Sequence, residues 1–128
     1  MIEIRVDPFP SAAELDVLWL SAWGNPSGDY TTSILPRSLT HLGAYSGDSL
    51  VGFVNVAWDG GKHAFILDPS VHGDFQRQGI ATRLVRKGTE IARARGAEWL
   101  HVDWDPHLTG FYLACGFRPT DAGLIKLN

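Results

Sequence analysis

Cysteine occurs once in the 128 residues, as Cys115, which excludes an internal disulfide framework and a cysteine-rich zinc site. Positive charge is not in excess either: 11 Lys and Arg stand against 14 Asp and Glu, a formal net charge of -3. With no Lys/Arg block, the chain lacks the signature of a general nucleic-acid binder. No apolar run approaches the ~20 residues that a bilayer requires. The charged, alternating start Met1-Ile2-Glu3-Ile4-Arg5 is not that of a signal peptide. Repeats, low-complexity tracts and linkers are lacking, so one domain over residues 1–128 is expected. A composition of 45% hydrophobic and 20% charged residues is that of an ordinary globular chain with a core needing no staples. These absences lead to the expectation of a soluble, reduced, cytoplasmic protein with neither nucleic acid nor membrane as partner.

What is present reads as an alternation of short strands and helices. Ile2, Ile4 and Val6 alternate with charged residues and predict a strand stopped by Asp7-Pro8. Ser11 followed by Glu14 spells a capping box, and Leu15, Leu18 and Trp19 continue at helical spacing to Trp23, with Gly24 as the stop. Asn25 to Arg37 reads as a loop with one helical turn, of a length that is often functional. Strands are predicted over His41–Tyr45 and Leu50–Trp58, joined at Ser46-Gly47-Asp48, with Asp59-Gly60-Gly61-Lys62 leading to a third from Ala64 to Leu67. From Gly79 to Arg95 the residues Ile80, Leu84, Val85 and Ile91 share one helical face, and Gly96 ends the helix. Trp99–Trp104 reads as a buried strand, Leu108–Ala114 as a helix and Leu124–Leu127 as a final strand. The order predicts an α/β fold around one mixed sheet.

The stretch Val71-His72-Gly73-Asp74-Phe75-Gln76-Arg77-Gln78-Gly79-Ile80-Ala81-Thr82 links a strand directly to a helix. Gly79 and Ala81 remove bulk where a ligand could approach the backbone. The first turn of a helix carries unpaired N–H groups and partial positive charge, which suits phosphate, and Arg77 adds a charged donor. A plain strand-to-helix connection would use similar residues.

This stretch closely resembles motif A of the GNAT superfamily, the Gcn5-related N-acetyltransferases, spelled here Gln76-x-x-Gly79-x-Ala81. Phe111-Tyr112-Leu113-Ala114-Cys115-Gly116-Phe117 is similar to the family's motif B helix, with its tyrosine and terminal Gly-Phe. The element order matches too, so the resemblance spans essentially the whole chain; Ala81 stands where many members have glycine. It implies the GNAT fold, a mixed central sheet with helices on both faces, and acetyl-CoA as co-substrate. By position, the backbone of Gln76, Arg77, Gln78, Gly79, Ile80, Ala81 and Thr82 would hold the pyrophosphate, and Val71 would pair with the pantetheine arm. Family sheets splay open beyond this strand, and Pro69, which cannot donate a ladder hydrogen bond, suits irregular backbone there. Tyr112 takes the place of the tyrosine that protonates the departing thiolate.

A base is also needed. Trp99, His101, Asp103 and Asp105 alternate along one strand face. The family places a carboxylate base on this strand in some members, in a setting that Leu100-His101-Val102 resembles. His101 is the first candidate, since imidazole titrates near ~6.5; Asp103 and Asp68 are alternatives, and His101 would equally serve as a structural hydrogen-bonding residue. A rival arrangement, His101-x-Asp103-x-Asp105-x-His107, would present a His/Asp metal cluster, but lacks His-x-x-x-His or cysteine spacing, and no metal is expected. His41, His63 and His72 read as isolated surface or loop histidines. Trp19, Trp23, Tyr30 and Trp58, with Asp29, could receive a cationic or aromatic amine, though five tryptophans in a small chain are largely core. The Arg-rich helix from Arg83 to Arg95 reads as a solvated face near the cofactor's phosphates. The function expected is acetyl transfer to a primary amine of a small molecule or peptide. The alternative is a non-catalytic acyl-CoA-binding sensor or interaction module of the same fold. Many family members dimerise, and the composition is compatible with a homodimer.

Overall fold

The computed structural model describes residues 1–128. Its first helix forms where the capping box stands. The Glu14 amide donates to Ser11 Oγ (3.1 Å) and the Ser11 amide to Glu14 Oε1 (3.0 Å), opening α1 at Ala12–Trp23. Gly24, at φ 80°, closes it by donating to the carbonyls of Leu20 and Trp19, a left-handed conformation that glycine adopts without penalty.

Five strands make one sheet in the order β1-β2-β3-β4-β5: β1 Ile2–Val6, β2 Ser38–Ser46, β3 Ser49–Trp58, β4 His63–Val71 and β5 Trp99–His101. β1 to β4 run antiparallel, whereas β4 and β5 are parallel. A parallel pair needs a crossover, and α2, Ile80–Ala94, supplies it. α3, Thr109–Ala114, follows β5 after a short turn at Pro106–Leu108.

Alternation along β3 divides the interior. Val54 and Val56 join Leu42, Ile66, Ile80 and Leu84 beneath α2, while Phe53 joins Leu15, Leu18, Tyr30 and Leu35 beneath α1. Helices therefore cover both faces of a mixed sheet, as expected. Gly52 sets the distance to α2: a Cβ there would meet Ile80 Cγ2 at 3.0 Å and Leu84 Cδ1 at 3.1 Å. The Asn25–Arg37 segment is largely exposed, but a π-turn at Tyr30–Ile34 and a 3-10 turn at Leu35–Arg37 bury Tyr30 and Leu35.

Three expectations are corrected. Trp99–Trp104 is strand only over Trp99–His101, and Trp99 is 56% exposed. β5 has one neighbour, and its register with β4 stops at Phe65↔His101. Leu124–Leu127 forms no strand; its apolar side chains lie in solvent because no sheet edge pairs with it. His41 is buried rather than superficial, accepting from the Phe9 amide at 2.8 Å, and His63 lies 2.8 Å from His101 (Nδ1 to Nε2). The arginines of α2 are exposed, as a solvated face implies, and some are also tethered to neighbouring elements. Arg83 donates to the Ile2 carbonyl, Arg86 to that of Ala114, and Arg95, just beyond the helix, to that of Leu39 and to Asp7. No helix is long and apolar enough to cross a membrane.

Candidate active site

β4 ends at Val71 and a 3-10 turn at Gly73–Phe75 carries the chain to α2. Ser21 on α1 anchors this turn, its Oγ accepting from the Gly73 amide at 2.9 Å. Arg77 (φ 63°) and Gly79 (φ 76°) then adopt left-handed backbone on either side of Gln78. Gly79 is the N-cap of α2 and has no side chain to cap it. The first helical hydrogen bond is donated by Arg83 to the Gly79 carbonyl. The amides of Arg77, Gln78, Gly79, Ile80, Ala81 and Thr82 consequently have no acceptor within the chain. Six unpaired donors at the positive end of a 15-residue helix form an anion cradle. Nothing lies within 4 Å of the position a Gly79 Cβ would take, so a diphosphate can reach this backbone. Gln76, Arg77 and Gln78 are exposed, Ala81 and Thr82 half-buried, and Ile80 sends its side chain into the core.

A second feature arises from a bulge. β3 and β4 pair Phe53↔Ser70 and Asn55↔Leu67, so Asp68 and Pro69 stand opposite Val54 alone. Asp68 is held at φ 55°, and Pro69 falls where irregular backbone was expected. Tyr30 fixes the bulge by donating from its hydroxyl to Asp68 Oδ2 at 2.8 Å. Burial, and the Asp68 carboxylate after it, push the Tyr30 phenol well above its ordinary range. Trp23 Nε1 donates to Ser70 Oγ at 2.8 Å, which in turn donates to the Asp68 carbonyl. Past Phe65↔His101 the paired backbones of β4 and β5 separate, leaving the edge of β4 from Ile66 to Val71 without a partner on that side.

The separation opens a cleft of about 300 Å³. Ile66–Pro69 line one wall, Val102–Asp105 the other, and Trp23, Leu108 and Tyr112 complete it. Tyr112 is 3% exposed, its ring stacked on Trp104 at 5.1 Å and edge-on to Phe117. Its hydroxyl has no protein partner and is not sealed in the interior. Burial, with smaller contributions from Cys115 and Asp103, raises its pKa, so the phenol keeps its proton at neutral pH.

Of the residues expected here, Tyr112, Asp103 and Asp68 are brought together, and Val71 and Gln76–Thr82 lie on the approach to α2. His101 is exposed, stacked on Phe65 at 4.7 Å and paired with His63, and does not line the cleft. His101, Asp103, Asp105 and His107 do not gather: no three His, Cys, Asp or Glu side chains come close enough to share a metal ion. Among the aromatics named for the acceptor only Trp23 reaches the cleft. The sequence reading missed Trp104, whose stacking on Tyr112 is invisible to spacing, and the Tyr30–Asp68 contact, made across 38 positions.

The chain belongs to the acetyltransferase (GNAT) family, whose family model matches residues 1–117. A curated relative, glucosamine 6-phosphate N-acetyltransferase 1 of Oryza sativa subsp. japonica, is 37% identical over 57 residues. That match covers 44% of this chain and only 34% of the rice protein. Among solved structures, a GNAT-family acetyltransferase from Streptococcus pneumoniae TIGR4 superimposes with a TM-score of 0.84 at 24% identity, over 100% of this chain and 98% of that one. An aminoglycoside N-acetyltransferase in complex with CoA gives a TM-score of 0.77 at 17% identity, covering 100% and 95%. At these identities the structural likeness establishes the fold.

Proposed function

We propose that the protein is an N-acetyltransferase that moves the acetyl group of acetyl-CoA to a primary amine of a small molecule or peptide by direct attack. One observation carries this reading: six unpartnered amides at the start of α2 share a fold edge with a buried, unpartnered phenol in the neighbouring cleft. The amides of Arg77–Thr82, with the Gln76 and Arg77 side chains beside them, hold the pyrophosphate. The free edge of β4, with Val71 at its end, offers strand-like hydrogen bonds to the pantetheine amides.

Acetyl-CoA supplies an activated acyl carbon whose C–S bond breaks as the C–N bond to the amine forms. Tyr112 gives its hydroxyl proton to the departing sulfur, and Asp103 takes one proton from the amine nitrogen, so the amine loses one proton and the thiol gains one. Asp103 is favoured over His101 because it lines the cleft and His101 does not. Within the bulge, Asp68 offers an amide where Pro69 has none, a donor for the carbonyl oxygen as negative charge develops.

The test is Tyr112→Phe in a thiol-release assay. Turnover falls on the order of 10²-fold, while acetyl-CoA binds as before. Undiminished turnover overturns the role of Tyr112. A wild-type protein that binds acetyl-CoA and acetylates no amine is instead a sensor of the same fold.

A further inference from the structure

The charges around the cleft are sorted. Its charged lining residues are Asp68, Asp103 and Asp105, with no lysine or arginine among the 11 that line it, although the chain as a whole carries 11 basic residues. None of the three carboxylates takes part in an ion pair. Only Asp68 accepts a side-chain hydrogen bond, through Oδ2 from Tyr30.

An acidic lining alone would not define a site, but here a polar group points to a ligand independently. Tyr112, only 3% exposed, lines the same cleft, and its hydroxyl has no protein partner. Two indoles bound the space, each fixed through its N–H: Trp23 on Ser70 (2.8 Å) and Trp104 on Thr109 (3.0 Å). Locked aromatic faces beside carboxylates favour organic cations.

We propose that the acceptor is an amine bearing at least two positive charges, one nitrogen reacting as the neutral amine while another stays ionised beside Asp105. This rests on the acetyl-transfer reading and narrows it. Aliphatic polyamines and polyamino sugars share the required chemistry. A phosphorylated amino sugar does not: its dianion would meet three carboxylates and no cation in the lining.

The experiment compares kcat/KM for spermidine, kanamycin, butylamine and glucosamine 6-phosphate in the presence of acetyl-CoA. At least one polycation exceeds both butylamine and the sugar phosphate by ~10-fold or more at low salt, and the advantage shrinks in 0.5 M NaCl as screening sets in. Spermidine and kanamycin distinguish an aliphatic from a sugar scaffold. Asp105→Asn lowers the ratio of the preferred polycation to butylamine by ~5-fold, through KM rather than kcat, because it removes binding and no reacting group. Equal or better use of glucosamine 6-phosphate or butylamine overturns the proposal, as does an Asp105→Asn ratio that does not move. Acetyl-CoA titrated into the same preparation separates the two readings. No binding removes acetyl transfer and this proposal together; binding without polycation preference removes this proposal alone.

Discussion

Tyr112 and His41 are both buried polar side chains, and they differ in what satisfies them. The hydroxyl of Tyr112 waits on the cleft with no protein partner, whereas His41 Nε2 accepts from the Phe9 amide and its Nδ1 lies 3.7 Å from Asp7. Burial lowers the His41 pKa, and nearby Asp7 offsets only part of this. Above the ordinary value of ~6.5 the ring is neutral in both folded and unfolded chains, and its contribution to stability is complete. As pH falls below ~6.5, the unfolded chain takes up a proton that the folded one resists, so stability declines until the lowered folded pKa is reached. Melting temperatures measured from pH 8 to pH 5 should fall, and His41→Gln should flatten that decline. An unchanged slope in the variant would show that another group governs it. The same scale decides the base. Asp103→Asn lowers kcat on the order of 10²-fold and His101→Ala leaves it near the wild-type value; the reverse pattern would return His101 to the role.

Elements were legible where their signals are local. Ser11 and Glu14 announce α1 three residues apart, Gly24 ends it, and Gly79 opens α2, each through backbone chemistry confined to a few positions. Signals that depend on a partner failed. Leu124–Leu127 has the pattern of a strand, but pairing needs an edge and none reaches it. His41 reads as a lone histidine until Asp7, Phe9 and Phe53 close around it. The bulge at Asp68-Pro69 was hinted at by proline alone; its left-handed Asp68 and its tie to Tyr30 arise only in the folded chain. At the element scale the decisive variant is Gly79→Asp. It places an L side chain at φ 76° and a carboxylate among the unpaired amides. Acetyl-CoA binding should be lost while the chain still melts cooperatively, because nothing crowds the new Cβ. Tight binding by that variant would move the pyrophosphate away from this helix.

Across the whole molecule, the sheet carries two unlike ends of one path. Backbone donors and Arg77 stand where β4 hands over to α2, while carboxylates and indoles gather where β4 and β5 part. An anionic cofactor and a cationic acceptor would each meet a complementary field, and the two would converge on Tyr112. The proposed cofactor half of this path could be read from the sequence because a single contiguous stretch, Gln76–Thr82, carries it. The proposed acceptor half was legible only in part: Trp23, Asp68 and Tyr112 were each named, but Trp104 and the meeting of all four from separate segments arise only in the folded chain. The most direct test of the account is calorimetric titration of the intact protein with acetyl-CoA, with free CoA and ATP as comparisons. Saturable binding of acetyl-CoA and CoA at one site, with ATP clearly weaker, is the predicted result. Absence of acetyl-CoA binding, or ATP binding as tight as acetyl-CoA, would contradict it.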